Sequence, residues 1–189
     1  MTLKLVPGRI AGLVPIFQQG FLVEVPRGST LKNVLDAAGL PREYLERRVQ
    51  TIFVDGSVID DIDSGVNDGS IVALSAAMPG LAGAIFRKGS PLSGLRSRTD
   101  GEKDDGCRPG GAKLVLIKLF NIVAEEMGPE LLRKGVVLNR TELESFFHNR
   151  RELIEKTIID AELDGEKLCC TGLFDKCLPC SEHVFLSVA

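Results

Sequence analysis

Residues 51–84, TIFVDGSVIDDIDSGVNDGSIVALSAAMPGLAGA, are the stretch that decides the fold. They contain two β-prone apolar runs, 52–54 and 71–74, and the first run is followed by Asp55-Gly56. Asp-Gly next to a β-prone run is the strongest short-range hairpin signal, because glycine accepts a positive φ and aspartate tolerates one. We therefore predict a hairpin there, then an acidic loop, a second tight turn at residues 67–69 and a buried strand.

The residues before this stretch add two strands and a helix. Apolar runs at 3–6 and 21–25 predict strands, and a proline follows each run. Residues 31–38 are predicted to form a helix whose start Ser29 or Thr30 can cap. One helix lying across a mixed sheet can bury both apolar faces in about 80 residues, so an α+β fold is expected. The apolar stripe of the helix recurs with helical spacing and consists of Leu31, Val34, Leu35 and Ala38.

This order of elements and the phrase PRGSTLKNVL at residues 26–35 resemble the ThiS/MoaD-type, ubiquitin-like β-grasp family. The resemblance implies a mixed sheet with one main helix across it. It also implies a carrier tail, since these proteins end in a flexible Gly-Gly whose carboxylate is adenylated and converted to a thiocarboxylate. The matching tail here is 78–84, in which Gly80 and Gly83 are the carrier-tail-like residues and Ala82-Gly83 stands in place of Gly-Gly.

A carrier role would require cleavage after Gly83, because the chain continues to Ala189. The alternative is that these glycines only make the turn that leads out of the domain. Residues 85–112 follow, and their Gly-, Ser-, Pro- and charge-rich composition is typical of a linker. Its basic residues could contact phosphate or an acidic partner, or be solvated; they include Arg87, Lys88, Arg96 and Arg98.

The C-terminal part of the chain repeats the same signals. KLVLIKLF at residues 113–120 resembles the first strand of MoaD-type chains. Asp164-Gly165 then corresponds to Asp55-Gly56, and residues 183–188 correspond to 70–75.

We therefore predict two tandem β-grasp domains, at 1–84 and 113–189, joined by the linker at 85–112. The second domain is expected to be divergent and to carry a cysteine-rich loop. The alternative is one β-grasp domain followed by an unrelated α+β domain.

The cysteine-rich loop lies between the Asp164-Gly165 turn and the last predicted strand. Four of the five cysteines fall within twelve residues there, and two of them have C-x-x-C spacing. This spacing suits a zinc site, a redox-active dithiol or, with thiolates alone, an iron–sulfur cluster. Reduced free thiols or a disulfide on a loop are the alternatives. The candidate metal or redox residues are Cys169, Cys170, Cys177, Cys180 and His183.

Bulk composition excludes several function classes. The chain has 189 residues, 44% of them apolar, and a formal net charge of −3, which argues against nucleic-acid binding. No apolar run approaches the roughly 18 residues that span a bilayer, and Pro7, Gly8 and Arg9 interrupt any signal-peptide core. We therefore expect a cytoplasmic protein with reduced cysteines and no membrane contact.

The sequence contains no Walker loop, dinucleotide fingerprint or catalytic triad spacing. The predicted function is therefore a non-enzymatic β-grasp binding or scaffold module related to sulfur carriers, with protein partners. A metal or redox module at the cysteine loop is the alternative. A carrier activated by cleavage after Gly83, with an adenylating or sulfur-transfer enzyme as its partner, is the third hypothesis.

Overall fold

The computed structural model describes residues 1–96, 111–168 and 181–189. Over these residues the protein is an α+β structure with mixed β-sheet and several helices. The chain divides into two compact units. Unit A consists of Met1–Leu22 and Ala124–Ala189, and unit B consists of Val23–Val123. Within the described residues, no helix has both the length and the apolar character needed to cross a membrane.

The predicted strands, the helix Leu31–Ala37 and the Asp-Gly turns are present, whereas the helix Gly80–Phe86 forms in the predicted tail and linker and the long helix Asn121–Lys134 was not predicted. Besides short 3-10 turns, the elements in chain order are β1 (Thr2–Pro7), β2 (Phe21–Pro26), α1 (Leu31–Ala37), α2 (Arg42–Arg48), β3 (Thr51–Val54), β4 (Ser57–Val58), β5 (Ile71–Ser75), α3 (Gly80–Phe86), β6 (Ala112–Leu119), α4 (Asn121–Lys134), β7 (Val136–Asn139), α5 (Arg140–Asn149), α6 (Arg151–Thr157), β8 (Ile158–Leu163), β9 (Glu166–Leu168) and β10 (His183–Val188).

Unit B has its strands in the order β4-β3-β5-β6-β2. Strand β3 is antiparallel to β4 and β5, and β5 is parallel to β6. The Arg27 amide at the end of β2 donates to the Gly111 carbonyl at the start of β6, so these two strands run in opposite directions. Helix α1 follows β2 and buries the predicted stripe, and Thr30 caps it by accepting from the Asn33 amide.

Unit A has its strands in the order β9-β8-β1-β10-β7. Strand β8 is antiparallel to β9 and β1, β1 is parallel to β10, and β10 is antiparallel to β7. Helices α5 and α6 lie between β7 and β8 in the chain. The largest buried side chains of this unit include Leu3, Leu5, Phe17 and Phe146.

The two units therefore repeat one pattern of strand directions. Place by place, β4 matches β9, β3 matches β8, β5 matches β1, β6 matches β10 and β2 matches β7. Each unit has the predicted Asp-Gly hairpin, in which Asp55 and Asp164 have φ of 51° and 48°. The positive φ is the conformation that selects aspartate and glycine at these two turns.

The strands that occupy matching sheet positions are not those that the sequence comparison had matched. Residues 183–188 were matched to 70–75, but β10 occupies the place of β6, and β1 occupies the place of β5. Strand β6, predicted to open the second domain, belongs to unit B. The α+β class is confirmed, whereas the tandem β-grasp arrangement, with its boundaries at residues 84 and 113, is not.

Candidate functional site

The carrier-tail-like glycines belong to a helix. Gly80 begins α3 with φ of +77°, and Gly83 is buried inside α3. A Cβ at Gly83 would lie 1.7 Å from the Met78 carbonyl oxygen, so only glycine fits there. The residues that would form a carrier's extended tail are thus packed into one turn after β5.

The residues after α3 are fastened to unit B. The Phe86 ring packs edge-on against Phe53, with the ring centroids 5.6 Å apart. The Lys88 amide donates to the Gln50 carbonyl at 2.7 Å, directly before β3. This part of the predicted linker is therefore packed on the sheet.

Arg96 holds this segment in place through hydrogen bonds from all three nitrogens of its guanidinium group. Its Nε donates to the Ile85 carbonyl at 2.9 Å, and Nη2 donates to the Arg87 carbonyl at 2.7 Å. Its Nη1 forms an ion pair with the Asp60 carboxylate at 2.6 Å, and the Arg96 side chain is only 12% exposed. Arg96 is therefore a structural clamp, and the sequence signal that grouped it with a basic contact patch was misleading.

Of the five candidate metal or redox residues, His183 is the one within the described residues. His183 begins β10, lies half-buried opposite Asn139 and accepts from the Ser181 hydroxyl at its carbonyl, at 2.8 Å. Within the described ranges, no three His, Cys, Asp or Glu side chains are placed to hold a metal ion. Zinc or iron–sulfur binding stays a prediction, because the other candidates lie outside the described residues: Cys169, Cys170, Cys177 and Cys180.

Lys113 is a buried cation that the sequence did not single out. Its side chain is 2% exposed at the start of β6, and Nζ donates to the carbonyls of Ser29 and Val66. Backbone carbonyls are good partners for a buried ammonium group, because they accept hydrogen bonds from its three donors. Lys113 thereby ties β6 to the start of α1 and to the end of the acidic loop.

One side of the unit B sheet is apolar and only partly covered, because Phe86 packs against Phe53 while Ile71 and Leu114 are exposed. Phe53 lies opposite Ala73 and Val58, and Ile71 lies opposite Leu116, so these side chains share one face. Ile71 is 41% exposed, although its neighbours on the other face of β5 are fully buried. We call this surface the outer face of unit B, defined by Phe53, Val58, Ile71, Ala73, Leu114 and Leu116.

The matching places of unit A carry different chemistry. Lys4 takes the place of Ala73, Glu162 that of Phe53, and Lys167 that of Val58. Lys167 also forms an ion pair with Asp160 at 3.4 Å. Thr2 takes the place of Ile71, His183 that of Leu114 and Phe185 that of Leu116. The same sheet surface is therefore mostly polar in unit A and apolar in unit B.

Charges lie at both ends of the outer face of unit B. Asp55 and Asp68 are exposed at the starts of β5 and β6, where they accept from the amides of Ile71 and Leu114. Arg27 lies 3.9 Å from Asp68 and offsets part of its charge.

The opposite end of this face is basic. Lys118 lies beside Ala73 in the strand register, two residues beyond Leu116 on the same face of β6. Lys88 is exposed next to Gln50, at the end of β5. The apolar face thus has an acidic end and a basic end.

Comparisons with known proteins gave no relative: no family model, curated protein or solved structure matches the chain. A function for the chain must therefore be inferred from its own geometry.

Proposed function

We propose that the chain is a non-enzymatic protein-binding module whose contact surface is the outer face of unit B. The observation that carries this proposal is the contrast between matching places of the two units. Where unit A has Lys4, Glu162 and Lys167, unit B has Ala73, Phe53 and Val58. In a sheet with one solvated face, side chains along each strand normally alternate between apolar residues facing the core and polar residues facing solvent. An apolar outer face is therefore typical of a surface that another protein covers.

We further propose that both units are β-grasp-like. In support, each unit has a mixed sheet with a central parallel pair and an Asp-Gly hairpin at one edge. In each unit, helix also connects the strand at the other edge, β2 or β7, to the first strand of the hairpin, β3 or β8. In this interpretation the first strands of the two repeats, β1 and β6, have been exchanged between the units. Strand β6 completes unit B, and β1 and β10 form the central pair of unit A.

Three charged side chains in the described part of unit B are engaged by the fold, which is consistent with a binding role. The Lys113 ammonium group is bound by backbone carbonyls, and the Arg96 guanidinium group by two carbonyls and Asp60. The Asp55 carboxylate accepts from the Ser70 hydroxyl and the Ile71 amide. Each of these side chains has a structural use that catalysis would have to disturb.

The proposal is tested by placing a photo-crosslinking amino acid at two matched positions, Ala73 in unit B and Lys4 in unit A. Both positions have the same place in the strand order and register of their sheets, so they differ mainly in the side chains around them. Ultraviolet irradiation of living cells should attach protein to position 73 far more than to position 4. Equal or negligible yields at both positions would contradict the proposed surface.

The intact mass of the chain from the same cells separates this role from the carrier role. A binding module is expected at the mass of the uncleaved chain. A species ending at Gly83, heavier by one sulfur-for-oxygen exchange, would establish the carrier instead. The carrier would also require α3 to unfold, because Gly83 packs against the Met78 carbonyl.

A further inference from the structure

We infer that the outer face of unit B docks on the same face of a second copy of this chain, giving a two-fold symmetric pair. The inference rests on the proposed binding role and names its partner.

The first argument is the chemistry of the surface. Ile71 and Leu114 are 41% and 36% exposed, and both lie on strands whose other face is fully buried. Side chains of two facing sheets interdigitate at about 10 Å separation, and such a contact needs apolar residues on both sides. A second outer face of unit B supplies that matching apolar surface.

The second argument is the arrangement of charge. Asp55 and Asp68 lie at the end where β5 and β6 begin, where Arg27 offsets part of the Asp68 charge. Lys118 and Lys88 lie towards the end where these strands finish. A two-fold axis that lies in the interface and runs across the strands reverses the strand direction of the second copy. The acidic end of each copy then opposes the basic end of the other, with the apolar side chains between them. The face is therefore complementary to itself.

Unit A has charged side chains at the centre of the matching surface, beside Val6 and Phe185, which are 37% and 39% exposed. Lys4 lies opposite Glu162, and Lys167 is paired with Asp160. Covering these groups would take their charges out of water, which costs free energy that exposed ion pairs do not return. The pair should therefore form through unit B only.

The test is sedimentation equilibrium of the full chain over a range of concentrations. We expect a monomer–dimer equilibrium that shifts to the dimer as the concentration rises. The variant Ala73→Lys copies the residue that unit A has at this place, so the sheet should accept it. It should weaken dimerisation by about tenfold or more, because it introduces an ammonium group at the centre of an apolar interface.

Two further variants make the result specific. The matched control Thr2→Lys adds the same charge at an exposed place of unit A and should leave the dissociation constant unchanged. The variant Lys118→Glu removes the basic end of the face and should weaken the dimer, since acid then opposes acid. Unfolding curves of all three proteins establish whether each is folded.

Several outcomes would overturn the inference. The first such outcome is that the chain is a monomer at every concentration. The second is that Ala73→Lys leaves the dimer as stable as before while Thr2→Lys weakens it. If the chain is monomeric but position 73 crosslinks to a different protein, the second copy is the wrong partner while the binding surface stands. If position 73 crosslinks nothing in cells, the proposed function fails as well.

Discussion

The Asp164 carboxylate accepts a hydrogen bond from the Thr2 amide at 2.7 Å, and the Thr2 carbonyl accepts one from the Asp164 amide at 2.9 Å. Asp55 and Ile71 exchange the same two hydrogen bonds, each at 2.9 Å. Thr2 begins β1 and Ile71 begins β5, so the two strands occupy one and the same place in their sheets. The N-terminal strand therefore completes the sheet of the C-terminal half.

The variant Asp164→Ala should destabilise the protein by about 1–3 kcal/mol. It removes the acceptor of the Thr2 amide and puts alanine at a φ of 48°. Asp164→Asn keeps an acceptor oxygen and a side chain that tolerates positive φ, so it should cost less than half as much. Chemical denaturation measures both free energies of unfolding; equal stability of the alanine variant and the parent would contradict this role.

Gly135 is predicted to be among the glycines least tolerant of substitution. Its φ is +91°, and an added Cβ would lie 2.1 Å from the Phe185 ring. Gly135→Ala should therefore cost about 3 kcal/mol or more, from backbone strain and from displacement of the ring. Gly56→Ala is the matched control, because Gly56 has φ of +83° with no atom within 4 Å of the added Cβ.

That control should show the backbone strain alone, about 1–2 kcal/mol. In a double-mutant cycle, Phe185→Ala combined with Gly135→Ala should cost less than the sum of the single changes, since the clash is then gone. Additive costs would mean that Phe185 does not restrict Gly135. Thermal or denaturant unfolding is sufficient for all four proteins.

Arg96→Met should loosen the segment that follows α3. It removes the guanidinium donors of the Ile85 and Arg87 carbonyls, of which the Arg87 carbonyl keeps the Ser90 amide, and this should cost about 1–3 kcal/mol. Amide hydrogen exchange at Lys88, which bonds the Gln50 carbonyl, should speed up. The control Asp60→Asn keeps both carbonyl bonds and loses only the ion pair, so it should cost at most about 1 kcal/mol. Unchanged exchange in Arg96→Met would rule out the clamp.

Local features of the fold could be predicted from the sequence. Asp55-Gly56 and Asp164-Gly165 determine their hairpins, because only residues of this kind accept positive φ at both turn positions. Thr30 caps α1 as expected, since the cap needs only residues three positions apart. Such features depend on neighbouring residues alone.

The pairing of the strands could not be predicted in the same way. Strands β1, β5, β6 and β10 are all apolar on one face, and each takes part in a parallel central pair. Nothing in their local pattern states which strand pairs with which, because the choice depends on residues far away in the chain.

Most of the candidate surface was hidden from sequence reasoning for the same reason. The apolar character of Ala73 on the outer face of unit B becomes informative only beside Lys4, 69 positions away in a strand of the other unit. The Arg96 clamp likewise depends on Asp60, far back in the acidic loop. The local signal that could have indicated an apolar outward face was the lack of polar/apolar alternation at residues 71–74 of β5 and 114–117 of β6.

The exchange of strands is tested most directly by dividing the chain between Asp104 and Asp105 and co-expressing the two fragments. Each unit needs strands from both fragments: β6 completes unit B, and β1 completes unit A. We predict that the fragments purify together in equal amounts with the unfolding behaviour of a folded protein, and that neither folds alone. A second fragment shortened to begin at Phe120, without β6, should leave unit B unfolded. Two fragments that separate on purification and each fold independently would contradict the account.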